Sequence, residues 1–481
     1  MSERVDFLIV GGGVPGLLAA HQILLRSPNS RVVLVEASEE LGGLYRSFYV
    51  PEIEIWVDLG MHVYYETGID EYDSFIKSLL PEDQWSPMAG NQKDIAGLYW
   101  EGALWKSSPY PDLRGRNLAF RFRAFSAIVL RAITTLSDES ESFTAEELGV
   151  RQFGAYVFRH VLSPILRKLY VADPSKLASI GLKSPELRRV ILFGPTLTRF
   201  LGLFPGLRSR IAFPDQLLLP FRRVAQAGLY PKATAFGKNV LEPMAIDLKR
   251  RGLEIRTGEA VLSLTKQEGG VGAVLGSGNR ARGATGKQIT AQAVVWCAPL
   301  SACASAVGLE APKTSKGLNP SRNKYFATVL LEGENSLSPL YYFYVYDPRF
   351  DTFRVTNYAG YSSVPKVLGN NRFILGVEIW SDVSLGEAEV LDKVQRELST
   401  MGVSNAVTTV IGAWLLPQKA PPHEPTLDNE KWHIELASSL RHHFLDSNFV
   451  ATGPFVKPDL FFLQDVLRDL HPSIDELIGK Q

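Results

Sequence analysis

Three glycines at positions 11, 13 and 16 and a glutamate at position 36 have the types and spacing that most clearly imply chemistry in this chain. The glycines belong to the run Gly11-Gly12-Gly13-Val14-Pro15-Gly16, where backbone without side chains lets N–H groups come close to a phosphate. Gly11 permits a tight turn, Gly13 the approach of a pyrophosphate, and Gly16 close packing of a helix on the preceding strand. Glu36 lies about 20 residues past the last glycine, where a carboxylate accepts both hydroxyls of an adenosine ribose. These residues predict a bound dinucleotide.

The flanking elements fit that chemistry. Val5 to Val10 is an apolar strand leading into the turn, an apolar helix follows, and Arg31 to Val35 is a second strand that ends on Glu36. A glycine turn alone is weak evidence, but strand, turn, helix, strand and acid stand here in order. The next run, Glu36-Ala37-Ser38-Glu39-Glu40-Leu41-Gly42-Gly43-Leu44-Tyr45-Arg46, resembles the acid, spacer, Gly-Gly and Arg of the amine oxidase, protoporphyrinogen oxidase and UDP-galactopyranose mutase superfamily of flavoproteins. The resemblance implies FAD rather than NAD, with Gly42 and Gly43 leaving room for the ribityl-pyrophosphate and Arg46 adding a charge-assisted bond.

Further segments carry the resemblance along the chain. Val57 to Tyr65 resembles the superfamily's Asp-x-Gly-x-His strand beside the flavin. That match implies that His62 sits near the isoalloxazine, where a neutral imidazole hydrogen-bonds the ring or relays a proton. A satisfied histidine on a buried strand is the competing reading. Gly97 to Trp105 reads as a hairpin turning at Glu101-Gly102, and the following Tyr110-Pro111 resembles the mutase and oxidase segment before the helical domain. Phe153-Gly154 and the Lys168 to Leu177 stretch resemble a helix-pair marker of the substrate domain. Near Tyr230-Pro231, Ala233 to Gly237 stands where the family places Pro-x-Gly-Gly. Thr352 to Tyr358 forms a hairpin with Tyr341 to Tyr346, with Thr352, Arg354, Thr356 and Tyr358 expected on one face. In the mutase a comparable arginine binds the substrate diphosphate, which makes Arg354 the candidate for an anionic substrate, with a structural ion pair as the alternative. At the end, Asn448 to Gly453 reads as a strand and Asp459 to Leu470 as a helix, closing the FAD site at Gly453. Pro454 and Pro458 replace the arginine and tyrosine of the mutase pattern.

Length and composition bound the rest. A chain of 481 residues suggests two or three domains, and 45% hydrophobic with 21% charged residues is an ordinary globular balance. With 51 basic and 51 acidic residues, nothing global recruits nucleic acid. Cys297 and Cys303 offer neither a disulfide framework nor metal spacing, and Cys297 is expected in the core. No metal is expected, and a cytoplasmic, reducing location is the simplest reading. No signal precedes the first strand, and no apolar run of about 18 residues suggests a spanning helix.

Arginines 114, 116, 121, 123 and 131 lie in an acid-free apolar stretch, and residues 188 to 223 again set arginines among Phe, Leu and Pro. Three readings stand: attachment peripheral to an anionic membrane surface, a phosphate-rich substrate, and helices with solvated arginines. The expected fold is α/β. A discontinuous FAD-binding Rossmann-type domain occupies 1–90, 226–300 and 431–481, with a largely helical insertion over 91–225 and a mostly antiparallel substrate-domain sheet over 301–430. The expected function is an FAD-dependent oxidoreductase acting on a small molecule at the flavin N5 edge. A redox-neutral nucleotide-sugar mutase is the second reading, and a non-catalytic flavin-fold scaffold the third.

Overall fold

The computed structural model describes residues 2–87, 95–134, 144–182, 185–219, 228–277, 286–309, 321–362, 368–369, 371–416, 424–445, 447–453, 460 and 462–479. The chain separates into two compact units, one made of 1–87, 225–316 and 431–481 and the other of 88–224 and 317–430.

The first unit is built on a mixed sheet of Rossmann type. Strand β1 (Glu3–Val10) leads into helix α1 (Val14–Arg26), and β2 (Val32–Glu36) returns beside β1. Phe7, Leu8 and Ile9 are fully buried, as an unbroken apolar run requires when both faces of a parallel strand are covered. The sheet order places Glu254–Thr257 outside β2, then β1, Lys287–Trp296, Gly270–Ser277 and Glu259–Gln267, with Phe449–Ala451 also pairing with Lys287–Trp296. Pairing among the first four of these is parallel, and the last two turn antiparallel. Val10 is in register with Val35 and Trp296, and Trp296 with Ala451. Four parallel strands therefore end side by side, at the edge where ligands of open α/β sheets bind.

After β2, the hairpin of β3 (Ser47–Val50) and β4 (Ile55–Asp58) forms. The expected strand over residues 57–65 is interrupted. It ends at Asp58, Gly60 takes φ +105°, and pairing resumes only at Tyr64–Tyr65. His62 consequently lies in the connecting turn and not on a strand, because a left-handed glycine breaks extended geometry.

The second unit contains a seven-stranded sheet ordered Thr408–Leu416, Asn323–Gly333, Arg372–Ser381, Thr352–Asn357, Tyr342–Val345, Ala96–Trp100 and Ala103–Trp105. Pairing is antiparallel except between Tyr342–Val345 and Ala96–Trp100, which run parallel. Both expected hairpins form, and Glu101 and Gly102 take the two positive φ values that a tight two-residue turn demands. One expectation of face is corrected: Thr352 pairs with Ile379 and Arg354 with Glu378. The extra residue, Phe353, is a bulge, so Thr352 and Arg354 point to opposite faces. A helical cluster packs a core of Ile128, Phe153, Phe158, Leu162 and Leu166 in the same unit. Gly154 breaks the chain between helices with φ +84°. Among the described residues, no helix is long and apolar enough to cross a membrane.

Candidate functional site

The glycine turn sits at the carboxyl end of β1 and delivers the chain into α1, whose N-cap is Gly13 and carries no side-chain cap. The helix N-terminus is thus left to backbone N–H groups and the positive end of the helix dipole. A side chain at Gly16 would come within 2.0 Å of the Gly11 carbonyl oxygen, so helix and strand approach as closely as backbone allows. Among the described residues, a side chain at Gly13 would meet nothing nearer than 3.7 Å. Packing therefore does not demand glycine there, whereas a phosphate in front of the helix would.

Glu36 is 8% exposed, and its two carboxylate oxygens each accept one backbone N–H at 2.8 Å, from Gly12 and from Ser38. Each oxygen keeps a further lone pair. The loop after Glu36 is tied down by Gly42, whose N–H donates to the Gly12 carbonyl at 2.9 Å. Gly42 adopts φ +112°, a conformation that a side chain would strain. Gly43 follows, with Gly13 Cα 3.5 Å from the place its own Cβ would occupy. Arg46 stacks over Phe48 at 4.5 Å and lies 3.6 Å from the carboxylate of the exposed Glu40. Gly11, Gly13, Gly16, Glu36, Gly42, Gly43 and Arg46 thus meet around one sheet edge. Gly453 terminates the strand beside Lys287–Trp296, where the neighbouring Thr452 N–H donates to the Trp296 carbonyl at 3.0 Å. The expected helix start at Asp459 and the prolines at 454 and 458 lie outside the described residues; the helix itself runs Leu463–Gly479. The glycine cradle, the half-spent carboxylate and the open helix N-terminus fit the adenosine diphosphate half of FAD.

A second cluster holds the residue that sequence reasoning missed. Asp58 is fully buried and accepts hydrogen bonds from Ser47 Oγ at 2.6 Å, Tyr230 Oη at 2.7 Å and the Phe236 N–H at 2.9 Å. Burial outweighs these bonds and pushes its carboxyl up to about 6. Its charge lies close enough to Tyr45 to reinforce burial in holding that phenol protonated. The Tyr45 ring stacks on His62 at 4.7 Å between centroids. The segment that departs from the family's paired glycines packs here. Ala235 takes φ +77° although it carries a side chain, and Gly237 supplies the close approach, since a side chain there would lie 2.6 Å from the Tyr45 carbonyl oxygen. An acid closing an otherwise apolar strand was the available signal for Asp58.

Arg354 belongs to the other unit. Its guanidinium pairs with Glu378 at 2.6 Å across adjacent strands. Burial opposes its charge, but the Glu378 carboxylate prevails and holds the guanidinium more firmly protonated than usual. Lys168, the lysine of the helix-pair marker, is buried in the same unit and donates to the Thr352 carbonyl at 2.9 Å; burial lowers its ammonium to about 8. Cys297, expected in the core, follows the strand Lys287–Trp296 and is only partly buried as a residue; its N–H donates to the Val10 carbonyl at 2.8 Å and burial pushes its thiol up to about 12.

The model of the flavin-containing amine oxidoreductase family matches residues 14–416 of this chain. The chain belongs to this family. Among solved structures, reduced UDP-galactopyranose mutase superposes with a TM-score of 0.75 at 14% identity, covering 99% of this chain and 94% of that one. A putative protoporphyrinogen oxidase from Exiguobacterium sp. 255-15 superposes with a TM-score of 0.64 at 14% identity over the full length of both. A curated relative, an uncharacterized protein of Acanthamoeba polyphaga mimivirus, is 37% identical over 57 residues, which span 12% of this chain and 11% of that protein. Family and fold together make this a member of the FAD-dependent oxidoreductase superfamily with the capability to bind FAD.

Proposed function

We propose that the protein is an FAD-dependent oxidoreductase that acts on a small-molecule substrate at the flavin N5 edge. The observation that supports the cofactor part of this reading is Glu36, whose oxygens are each half-spent on the glycine turn and the following loop at 2.8 Å and keep capacity for two ribose hydroxyls. When bound, the flavin supplies a two-electron acceptor for a hydride leaving the substrate, with O2 or a protein partner as the final oxidant. The chain's own residues divide the remaining work. The α1 N-terminus and Gly13 receive the pyrophosphate, and Arg46 adds positive charge beside it. At the neighbouring strand end, no described residue lies within 4 Å of where a side chain on Gly453 would stand. His62 would hydrogen-bond the isoalloxazine or relay a proton through its imidazole. Tyr45, stacked on it, fixes the ring, while Asp58 anchors the segments that carry Tyr45 and Phe236.

Arg354 favours oxidation over the mutase reading. Its guanidinium is engaged by Glu378 at 2.6 Å, so a diphosphate would have to compete with a carboxylate already in place. The test begins with the visible spectrum of the purified protein. Bound flavin followed by anaerobic bleaching with a small-molecule reductant substrate supports the oxidoreductase. Conversion of a nucleotide sugar by the dithionite-reduced protein would instead assign the mutase reaction. A colourless preparation that cannot be reconstituted with FAD would leave only the non-catalytic scaffold.

A further inference from the structure

The helix Leu118–Thr134 buries one face through Ala124, Ile128 and Ala132, spaced four residues apart, against the helical core of its unit. Its opposite face is apolar as well. Leu118, Phe122, Leu130 and Ile133 are 78%, 71%, 61% and 66% exposed. At 3.6 residues per turn these four fall within an arc of about 120°, and at 1.5 Å per residue they form a stripe about 22 Å long. A helix of a soluble domain ordinarily sets charged residues on that side.

A second segment that packs against the helix carries bulky apolar side chains as well. It is fastened to the helix near one end, where Arg121 donates to the Leu192 carbonyl at 2.8 Å, and near the other, where Gly206 abuts Ala132. Between those points Phe200, Leu203 and Phe204 are 57%, 72% and 51% exposed. Bulky apolar side chains grouped in this way mark an interaction surface.

Charge identifies the partner. Residues 113–137 and 187–214 contain ten arginines and are bounded directly by Asp112, Asp138, Glu186 and Asp215; Arg114 and Arg116 are paired with Asp112 and Glu101. Arg123, Arg199 and Arg208 are exposed and make no ion pair among the described residues. An apolar stripe edged by exposed arginines that make no ion pair among the described residues matches the boundary of an anionic bilayer, where headgroups meet the guanidinium groups and acyl chains meet the Phe and Leu side chains. A protein partner would have to offer both an apolar floor and an acidic rim of the same outline. We propose that this face of the second unit docks flat on an anionic lipid surface, as a monotopic contact that spans nothing.

The test uses the full-length protein and flotation with two kinds of vesicle, phosphatidylcholine alone and phosphatidylcholine mixed with phosphatidylserine. Binding to the mixed vesicles, much weaker on the neutral ones and lowered by salt, is the expected result. Replacing Arg123, Arg199 and Arg208 together by Gln should weaken binding to the mixed vesicles about 100-fold, at roughly fivefold for each charge. The double variant Phe122→Glu with Leu130→Glu should abolish it while leaving the thermal midpoint unchanged, because both side chains are already in water. A wild-type protein that floats with neither vesicle overturns the proposal, as does undiminished flotation of the double variant. A dimer in light scattering that Phe122→Glu dissociates, with no vesicle binding, would assign the face to a second copy of the chain instead.

Discussion

Replacing Glu36 by Gln is the sharpest probe of the nucleotide site. Both carboxylate oxygens accept backbone N–H groups at 2.8 Å, one from Gly12 and one from Ser38. An amide has a single acceptor oxygen, so whichever way it turns, its NH2 faces an N–H donor. The surviving bond also loses its charge assistance. One hydrogen bond to a charged group contributes about 1.5–3 kcal/mol, which corresponds to roughly 10- to 150-fold in Kd. The loss falls on FAD, because the Gly12 N–H belongs to the turn that must receive the pyrophosphate and the same carboxylate must take the ribose. Titration of FAD into the apoprotein, followed by quenching of flavin fluorescence, measures it directly. Glu40→Gln serves as the control. That carboxylate is exposed and only 3.6 Å from Arg46, a surface pair of little energy. If Glu36→Gln takes up FAD as tightly as the unaltered protein while keeping its circular dichroism, the assignment of the ribose site is wrong.

Other consequences follow from the buried and strained groups. The Asp58 carboxyl is raised by burial to about 6 from an ordinary 3.8, so the folded state holds its proton more tightly than the unfolded chain does. Its contribution to stability is complete below the unfolded value and is lost as pH rises through the folded one, by about 3 kcal/mol in total. Asp58→Asn stays neutral, so its thermal midpoint should gain on the wild type between about pH 4 and pH 7; parallel curves would contradict this. Ala235 holds a left-handed backbone, φ +77°, and Ala235→Gly should relieve strain that offsets the loss of a buried methyl. The same change at Ala19, inside α1, should cost about 1 kcal/mol more by thermal denaturation, and equal losses at the two positions would remove the argument. Arg354→Ala should destabilise by about 3 kcal/mol, discounted from a fully buried pair because both partners keep some exposure. The double change Arg354→Met with Glu378→Leu should cost less than that, and a double variant no better than the single would count against a structural ion pair.

Much of the cofactor half of the molecule is legible in the chain because its determinants are local. Strand, turn and helix over β1 and α1 follow from an apolar run and three glycines within a few residues, and Glu36 is placed by the length of the intervening helix. The hairpins at 96–105 and 342–357 were equally readable from alternation and turn residues. Faces were less so. A single extra residue at Phe353 reversed the side on which Thr352 stands, and alternation carries no mark of a bulge until the partner strand is known.

By itself, then, the sequence determined where a nucleotide's phosphates and ribose would be met, since glycine turns, helix starts and the acid at a strand end are written within one short span. Only the tertiary structure decided the company of the remaining polar groups. Asp58 draws Tyr230 and Phe236 from 172 and 178 residues away. Arg354 finds Glu378 on the next strand, and Ala235 bends into a conformation its own side chain disfavours. Those outcomes depend on contacts between distant segments and on how much water each contact excludes, and neither is set by the order of residues along a single stretch of chain.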